Sequence, residues 1–486
     1  MTDLVNTING IVWSPVLVAM CLCIGLYFSM KLRFFQIKDV KEMFTLLLEG
    51  DSSHVGISSF QGFATSMAGR IGTGNIAGVA VAIAMGGPGA LVWMCIMATL
   101  GSATAFVEST LAQIYKDEHD GQYRGGPPYY FEKGLGWKKC SILFSVVAII
   151  SYTFFMPGTQ SNTLYLAMNQ AFGFSKMTIA VTSSIALGII IFGGIKRIGL
   201  FAEKVVPIMG GAYLIMTLVI IIANINLVPG AIMTMFKSAF GFGSVFGGML
   251  GSAISWGVKR GIYSNEAGEG SGTYGAAAEV SHPAKQGLVQ AFSVYVDTLL
   301  ICMATGIMII ITGMYNVTDV YTTLPGVEPG PQYVQSAINT LHPQLGDIFI
   351  AIVLLLFTFT TLLAFSYMME TNVSYLVTRI KAEKHEKHII NVCRFMLIIC
   401  AAMCCFIEPL TSWALGDICI GVLTYINLVG IFTLKKPAIK AYYDYQRQKK
   451  MGIKRSDRTF NPIELDIRNA EFWENRYLKE DKHELN

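Results

Sequence analysis

Charge is what this sequence has least of. Only 14% of its 486 residues are Asp, Glu, Lys or Arg, where a soluble domain carries about 25%. Between His54 and Glu108 the single charged side chain is Arg70. With 53% hydrophobic residues and a mean hydropathy of +0.51, this scarcity excludes an ordinary soluble fold. It makes the chain an all-α polytopic membrane protein, because only helices satisfy their own backbone in lipid. Histidine is scarce as well, and none of the ten cysteines forms a C-x-x-C pair. They sit mostly in apolar runs, as Cys21, Cys302 and Cys400 do, and read as reduced, mostly buried thiols with no zinc site. No nucleophile–base pair or Cys/His cluster falls inside the apolar runs, so no enzyme is expected. Membrane lipid is the expected surround, and no nucleic-acid partner. The first apolar run has neither a basic n-region nor an A-x-A site and reads as a retained span.

What the chain has instead is eleven apolar runs. They lie near 11–30, 57–85, 89–115, 140–168, 177–195, 199–224, 244–280, 284–312, 347–378, 389–407 and 412–434. The intervening segments on one side hold 31 of the 36 basic residues, and the long segment 313–346 on the other side holds none. The positive-inside rule then places the N-terminus outside and the C-terminus in the cytoplasm, in the cell membrane. Segment 34–49 is amphipathic and is expected along the inner surface. The polar tail 435–486 reads as a solvated cytoplasmic extension, with contact to anionic lipid as the alternative.

Two of the runs are interrupted at equivalent places. Arg70–Gly78 reads R-I-G-T-G-N-I-A-G, and Arg260–Gly268 reads R-G-I-Y-S-N-E-A-G. Both fit R-x-x-x-x-N-x-A-G. A second echo follows in the same register: Phe106-Val107-Glu108-Ser109 recurs as Tyr295-Val296-Asp297-Thr298. Glycine is a poor helix former, so each stretch predicts a helix broken at membrane depth. The broken seventh run lies five runs on from the broken second, an odd offset, so the two copies run in opposite directions. The expected layout is a 1–30 extra N-terminal helix, a 31–56 cytoplasmic segment and a first five-helix repeat over 57–224. An extracellular loop over 225–243, an inverted second repeat over 244–434 and the tail complete it. Paired interruptions of this kind point to a transporter's binding site.

The residues at the breaks set the candidate chemistry. Gly72, Gly74 and Gly78 loosely resemble a dinucleotide turn, but a transmembrane helix precedes them where that motif needs a strand. Gly78, Ala82 and Gly86 read as a small-residue packing face. At Thr73, Gly74 and Asn75, free N–H groups suit a carboxylate and free carbonyls suit a sodium ion. Ser264 and Asn265 offer the same at the second break. Glu266 is an acid inside a span, either functional or paired with Arg70 or Arg260. Glu108 and Asp297 are expected to pair with an arginine near a break. Gln160, beside Ser161 and Asn162, is the polar side chain expected to face a cavity. Thr358, Thr360 and Thr361 either bond back to their own helix or complete a cation site. Glu370 reads as reaching the interface.

Four stretches carry a family resemblance: GTGNIAGVAVAIAMGGPGALVW (72–93), GGPPYY (125–130), KRGIYSNEAGEGS (259–271) and HPAKQGLV (282–289). Together they resemble the alanine or glycine:cation symporters, the sodium:alanine symporter family of the amino acid–polyamine–organocation superfamily. The resemblance implies a LeuT-type five-plus-five inverted repeat with one extra N-terminal helix. It implies sodium-coupled import of a small neutral amino acid by alternating access. A proton-coupled carrier of the same fold, or one taking a larger neutral amino acid, are the alternatives. By position it implies substrate contacts at Thr73, Gly74, Asn75, Gln160, Ser264 and Asn265, and a sodium site from the Ala68 and Ile71 carbonyls with Thr360 and Thr361. Three positions depart from the pattern. Phe365 stands where the family commonly has Trp, Glu269 where it has Leu, and Gly275 where it has His. The smaller ring at Phe365 implies a reshaped pocket.

Overall fold

A computed structural model describes residues 2–49, 56–119, 121–192, 195–242 and 249–476. Residues 50–55 of the expected cytoplasmic segment, 244–248 at the start of the seventh run and the tail end 477–486 lie outside them. The chain is helical almost throughout. In order come α1 (Thr2–Val12), α2 (Pro15–Lys31), α3 (Phe35–Lys38), α4 (Val40–Leu47), α5 (Ser59–Arg70), α6 (Ala77–Gly86) and α7 (Ala90–Ile114). Then follow α8 (Pro127–Leu135), α9 (Lys138–Ile150), α10 (Met156–Phe172), α11 (Lys176–Ile191), α12 (Ile195–Ala223) and α13 (Val228–Ala239). The second half holds α14 (Leu250–Asn265), α15 (Gly272–Gly275), α16 (Pro283–Val294), α17 (Met303–Thr312) and α18 (Pro331–Asn339). The last are α19 (Leu345–Arg379), α20 (Glu386–Cys404), α21 (Pro409–Thr433) and α22 (Lys435–Lys450). Two small hairpins, 117–124 and 316–322, sit in the connections.

Among the described residues, eight helical runs are long and apolar enough to cross a membrane. They include α7, the α9–α10 rod Lys138–Phe172, the α16–α17 rod Pro283–Thr312, and α19. The other three expected runs are the two interrupted ones and α11, which is only 16 residues long. Both rods pass through a π-helical stretch, at Ser151–Phe155 and Tyr295–Cys302. Such wide turns shift the side chains that follow them and recur at functional sites.

Both predicted breaks are present. The first begins where α5 ends at Arg70; Ile71 and Gly72 are extended, Thr73–Asn75 forms one tight turn, and α6 starts at Ala77. The second begins at Glu266, which adopts a left-handed conformation (φ 57°), and continues through Gly268 and Gly270 at φ 91° and 94°. A side chain at either glycine would be strained. α7 is the central post, packed by α2, α14, α16 and α22. α19 lies against α5, α9, α10 and α12. The two breaks sit between these groups.

Two connections differ from expectation. Segment 225–243 contains α13, whose Ser238 hydroxyl accepts from Gly89 N at 3.0 Å and whose Ala239 carbonyl accepts from Trp93 Nε1 at 3.0 Å. Over its described part, 435–476, the tail is not a solvated extension. Ala438, Ala441, Tyr442 and Tyr445 form an i, i+3, i+4, i+7 stripe that is buried, as expected of a helix with one apolar face. Beyond α22, Phe460, Ile467 and Trp473 are buried too. Tyr445, Arg458, Arg455 and Lys449 converge on Glu42 of α4. The polar average of the tail had hidden the stripe.

Candidate functional site

The two breaks are stitched to each other's half of the chain. At the first, the Asn75 amide oxygen accepts from Gly72 N at 2.9 Å, and its NH2 donates to Asp297 Oδ1 at 2.6 Å. At the second, Asn265 Oδ1 accepts from Ala267 N at 3.0 Å, and its NH2 donates to Thr298 Oγ1 at 3.1 Å. Glu108 accepts from Gly268 N at 3.3 Å and from Asn427 Nδ2 at 2.8 Å. The acid of each echo thus serves the break of the other echo. Asn suits this place because one side chain both accepts from and donates to groups a broken helix leaves open. Among the described residues, no arginine lies within 4 Å of the Glu108 or Asp297 carboxylate, and the expected pairing is not seen there. The uncovered N–H of the break and the Asn side chains are nearer partners.

Arg70 is fully buried. Its Nη1 donates to Ser293 Oγ and to Gln290 O, and its Nε lies 4.0 Å from Glu266 Oε2. A Cβ at Gly272 would overlap the guanidinium, so a glycine is required there. Of the two partners considered for Glu266, Arg70 is the one nearby. Arg260 instead donates to Asp417 Oδ2 at 2.5 Å, and Lys259 reaches the same oxygen at 2.7 Å. Three aromatic rings face Arg260: Trp413 at 4.7 Å, Tyr263 at 5.1 Å and Trp256 at 5.3 Å.

Oxygens gather at the C-terminal end of α5. The Thr361 hydroxyl lies 3.1 Å from Ala68 O and 3.4 Å from Ile71 O, and it also bonds back to Phe357 O of its own helix at 2.9 Å. Thr360 points elsewhere; its hydroxyl bonds back to Leu356 O and Phe357 O and touches Met209 Sδ. Thr358 Oγ1 is buried, with no hydrogen-bond partner among the described residues. Gln160 faces the same end, its Oε1 accepting from Thr73 N at 3.3 Å. Asn162 turns away to Ile407 O at 2.7 Å. Ser264 Oγ sits 3.1 Å from Cys302 Sγ, and Gly74 packs against Ser264 and Tyr263. Phe365 stacks on Tyr152, ring centroids 5.7 Å apart, and Tyr152 donates to Glu269 Oε1 at 3.2 Å. Two of the three departures from the family pattern therefore meet through one tyrosine. Glu370 is buried and holds Arg394 Nε at 2.7 Å.

The full length of this arrangement has known counterparts. The model of the sodium:alanine symporter family matches residues 1–459. The chain belongs to that family. It is 48% identical to the putative sodium/proton-dependent alanine carrier protein YrbD of Bacillus subtilis, over 99% of both chains. It is 45% identical to the sodium/proton-dependent alanine carrier protein of Bacillus sp. PS3, over 90% of this chain and 98% of that one. A probable sodium/glutamine symporter, GlnT of Bacillus subtilis, is 41% identical over 93% and 92%. Within this symporter family, the sequence reading missed three residues at the breaks: Asp417, Cys302 and Tyr152. Asp417 carried a signal, since it is the single charged residue between 412 and 434 and an acid inside a span is functional by default. Cys302 and Tyr152 carried none, because both are ordinary members of apolar runs.

Proposed function

We propose that this protein is a sodium-driven symporter importing a small neutral amino acid by alternating access. The observation that carries it is the oxygen cluster at the first break. Thr361 and the carbonyls of Ala68 and Ile71 converge at the C-terminal end of α5, where the helix dipole is negative. A hard cation such as sodium prefers all-oxygen ligands. At the start of α6 the dipole is reversed and favours the substrate carboxylate. In this reading Thr73, Gly74, Asn75, Gln160, Ser264, Asn265 and Phe365 contact the substrate. The exchange of Asn75 and Glu108 between echoes supports a five-plus-five inverted repeat after one extra helix, eleven spans in all. In this reading the N-terminus is outside and the C-terminus cytoplasmic.

The test is uptake of labelled alanine into proteoliposomes carrying the full chain, under an imposed sodium gradient at fixed pH. Accumulation that persists when choline replaces sodium refutes sodium coupling. A proton-coupled reading has its own observation: Glu269 is buried, and its Oε2 has no hydrogen-bond partner among the described residues. A pH gradient without sodium is the arm that supports it. A larger neutral substrate is favoured by Phe365, and a glutamine arm tests it.

A further inference from the structure

The charges around the first break are unevenly divided. On the α5 side, Glu266, Asp297, Glu108 and Glu269 all lie within electrostatic reach of one guanidinium, Arg70. On the α6 side, Arg260 and Lys259 share one carboxylate, Asp417. All three of the latter are buried. A buried charge without a counter-charge is costly, and arginine cannot give up its proton. Asp417 is the one carboxylate that both cations touch; Lys259 can shed its proton, whereas Arg260 keeps its charge and has Asp417 as its counter-ion. Arg260 also has unused donors. Only its Nη2 bonds Asp417; Nε and Nη1 are buried and have no hydrogen-bond partner among the described residues.

The break runs from one cluster to the other. A side chain added at Gly69 would meet Glu266 Oε1 at 3.3 Å; one added at Gly78 would meet Trp413 at 3.6 Å and Arg260 Cδ at 3.9 Å. Gly78 lies in the first turn of α6, a ten-residue helix whose N-terminal N–H groups favour an anion. Dipole and side-chain charge therefore agree in sign at both ends.

Resting on the symporter reading above, we propose that Arg260, supported by Lys259, receives the carboxylate of the amino acid at the start of α6. The substrate is then oriented as a zwitterion, its ammonium towards the carboxyl-rich α5 end. Asp417 is the resident counter-ion that the carboxylate displaces or joins. A small monovalent anion is the ligand chemistry; the substrate carboxylate is its source, and chloride is the rival.

Competition between Asp417 and substrate gives the two partners of one ion pair opposite effects. The experiment measures equilibrium binding of labelled L-alanine to the full chain in lipid nanodiscs, at saturating sodium. Arg260→Gln is expected to weaken alanine by about tenfold or more, as loss of a buried charged partner does. Asp417→Asn is expected to tighten it several-fold. Alaninamide, which lacks the carboxylate, is expected to compete poorly with the parent and relatively better with Arg260→Gln. Stabilisation of each variant by sodium alone, read as a thermal shift, shows that it is folded. Arg260→Lys keeps the charge and loses less than Arg260→Gln. Equal weakening by Arg260→Gln and Asp417→Asn makes the pair a structural brace and overturns the proposal. Alanine binding that needs chloride, lost when gluconate replaces it, assigns the site to chloride and overturns it too. Failure of the parent to bind any amino acid refutes the symporter reading itself, a different outcome from either.

Discussion

Removing the hydroxyl of Thr361 gives the sharpest test of the cation site. Thr361→Val keeps the shape of the side chain and deletes the one oxygen that α19 offers to the end of α5. In the structure that oxygen stands 3.1 Å and 3.4 Å from the Ala68 and Ile71 carbonyls. A hydrogen bond or ligand bond to a charged group contributes about 1.5–3 kcal/mol. Each 1.4 kcal/mol is tenfold, so half-saturating sodium should rise about ten- to hundredfold. Thr360→Val is the internal control. Its hydroxyl contacts Leu356 O, Phe357 O and Met209 Sδ and none of the carbonyls at the first break, so that variant should shift sodium by no more than about twofold. Coupled ligands change each other's affinity by the same factor. Alanine affinity should therefore fall in Thr361→Val at low sodium and recover as sodium is raised. The assay is sodium activation of alanine uptake in proteoliposomes, with binding measured in parallel. Unchanged sodium activation in Thr361→Val, or an equal shift in Thr360→Val, would refute the placement of the ion.

Gly74→Val should abolish substrate binding while expression and monodispersity in detergent are kept; its Cβ would press on Tyr263 at 3.2 Å and Ser264 at 3.4 Å, and normal affinity would count against the contact. Phe365→Trp should narrow the substrate range towards glycine and alanine, because the larger ring must enter space now bounded by Tyr152. A hydrophobic wall discriminates by about 1–3 kcal/mol per methylene, so competition panels should show a changed preference and not an all-or-none switch. The tail clasp should depend on pH through Glu42. Burial opposes its charge, but Tyr445, Lys449, Arg458 and Arg455 outweigh that and hold the carboxyl down to about 2. With the folded value depressed, the clasp is at full strength above the ordinary carboxyl range and is lost as pH falls from there through about 2. Hydrogen exchange over 435–476, corrected for intrinsic rates, should rise in Glu42→Gln at neutral pH and in the parent only under acid.

The breaks were legible because glycine and asparagine stand out against apolar surroundings, and because the motif occurs twice. What Asn75 and Glu108 bond was not. Their partners, Asp297 and Gly268, lie far along the chain, and no local pattern says which acid faces which break. The threonines show the same limit. Thr360 and Thr361 are adjacent and identical, yet a helix turns successive residues about 100° apart, so only one reaches α5. The tail was misread for a different reason. Its stripe at Ala438, Ala441, Tyr442 and Tyr445 has helical spacing but sits among lysines, which dominate any average over the segment.

The tail's grip is mechanical as well as electrostatic. Arg476 holds Glu279 Oε1 at 2.7 Å, Arg458 O holds Ser281, and Asp444 holds His282 at 3.2 Å. That short strip leads directly out of the second break, and Glu279 N is tied to Ile57 O, just ahead of the first broken helix, at 2.8 Å. A load applied to the C-terminus is therefore delivered to both interrupted helices at once. A bulky fusion partner there would act as a weight on a lever whose short arm is the binding region. A tethered tail offers a handle for pulling the cycle from outside.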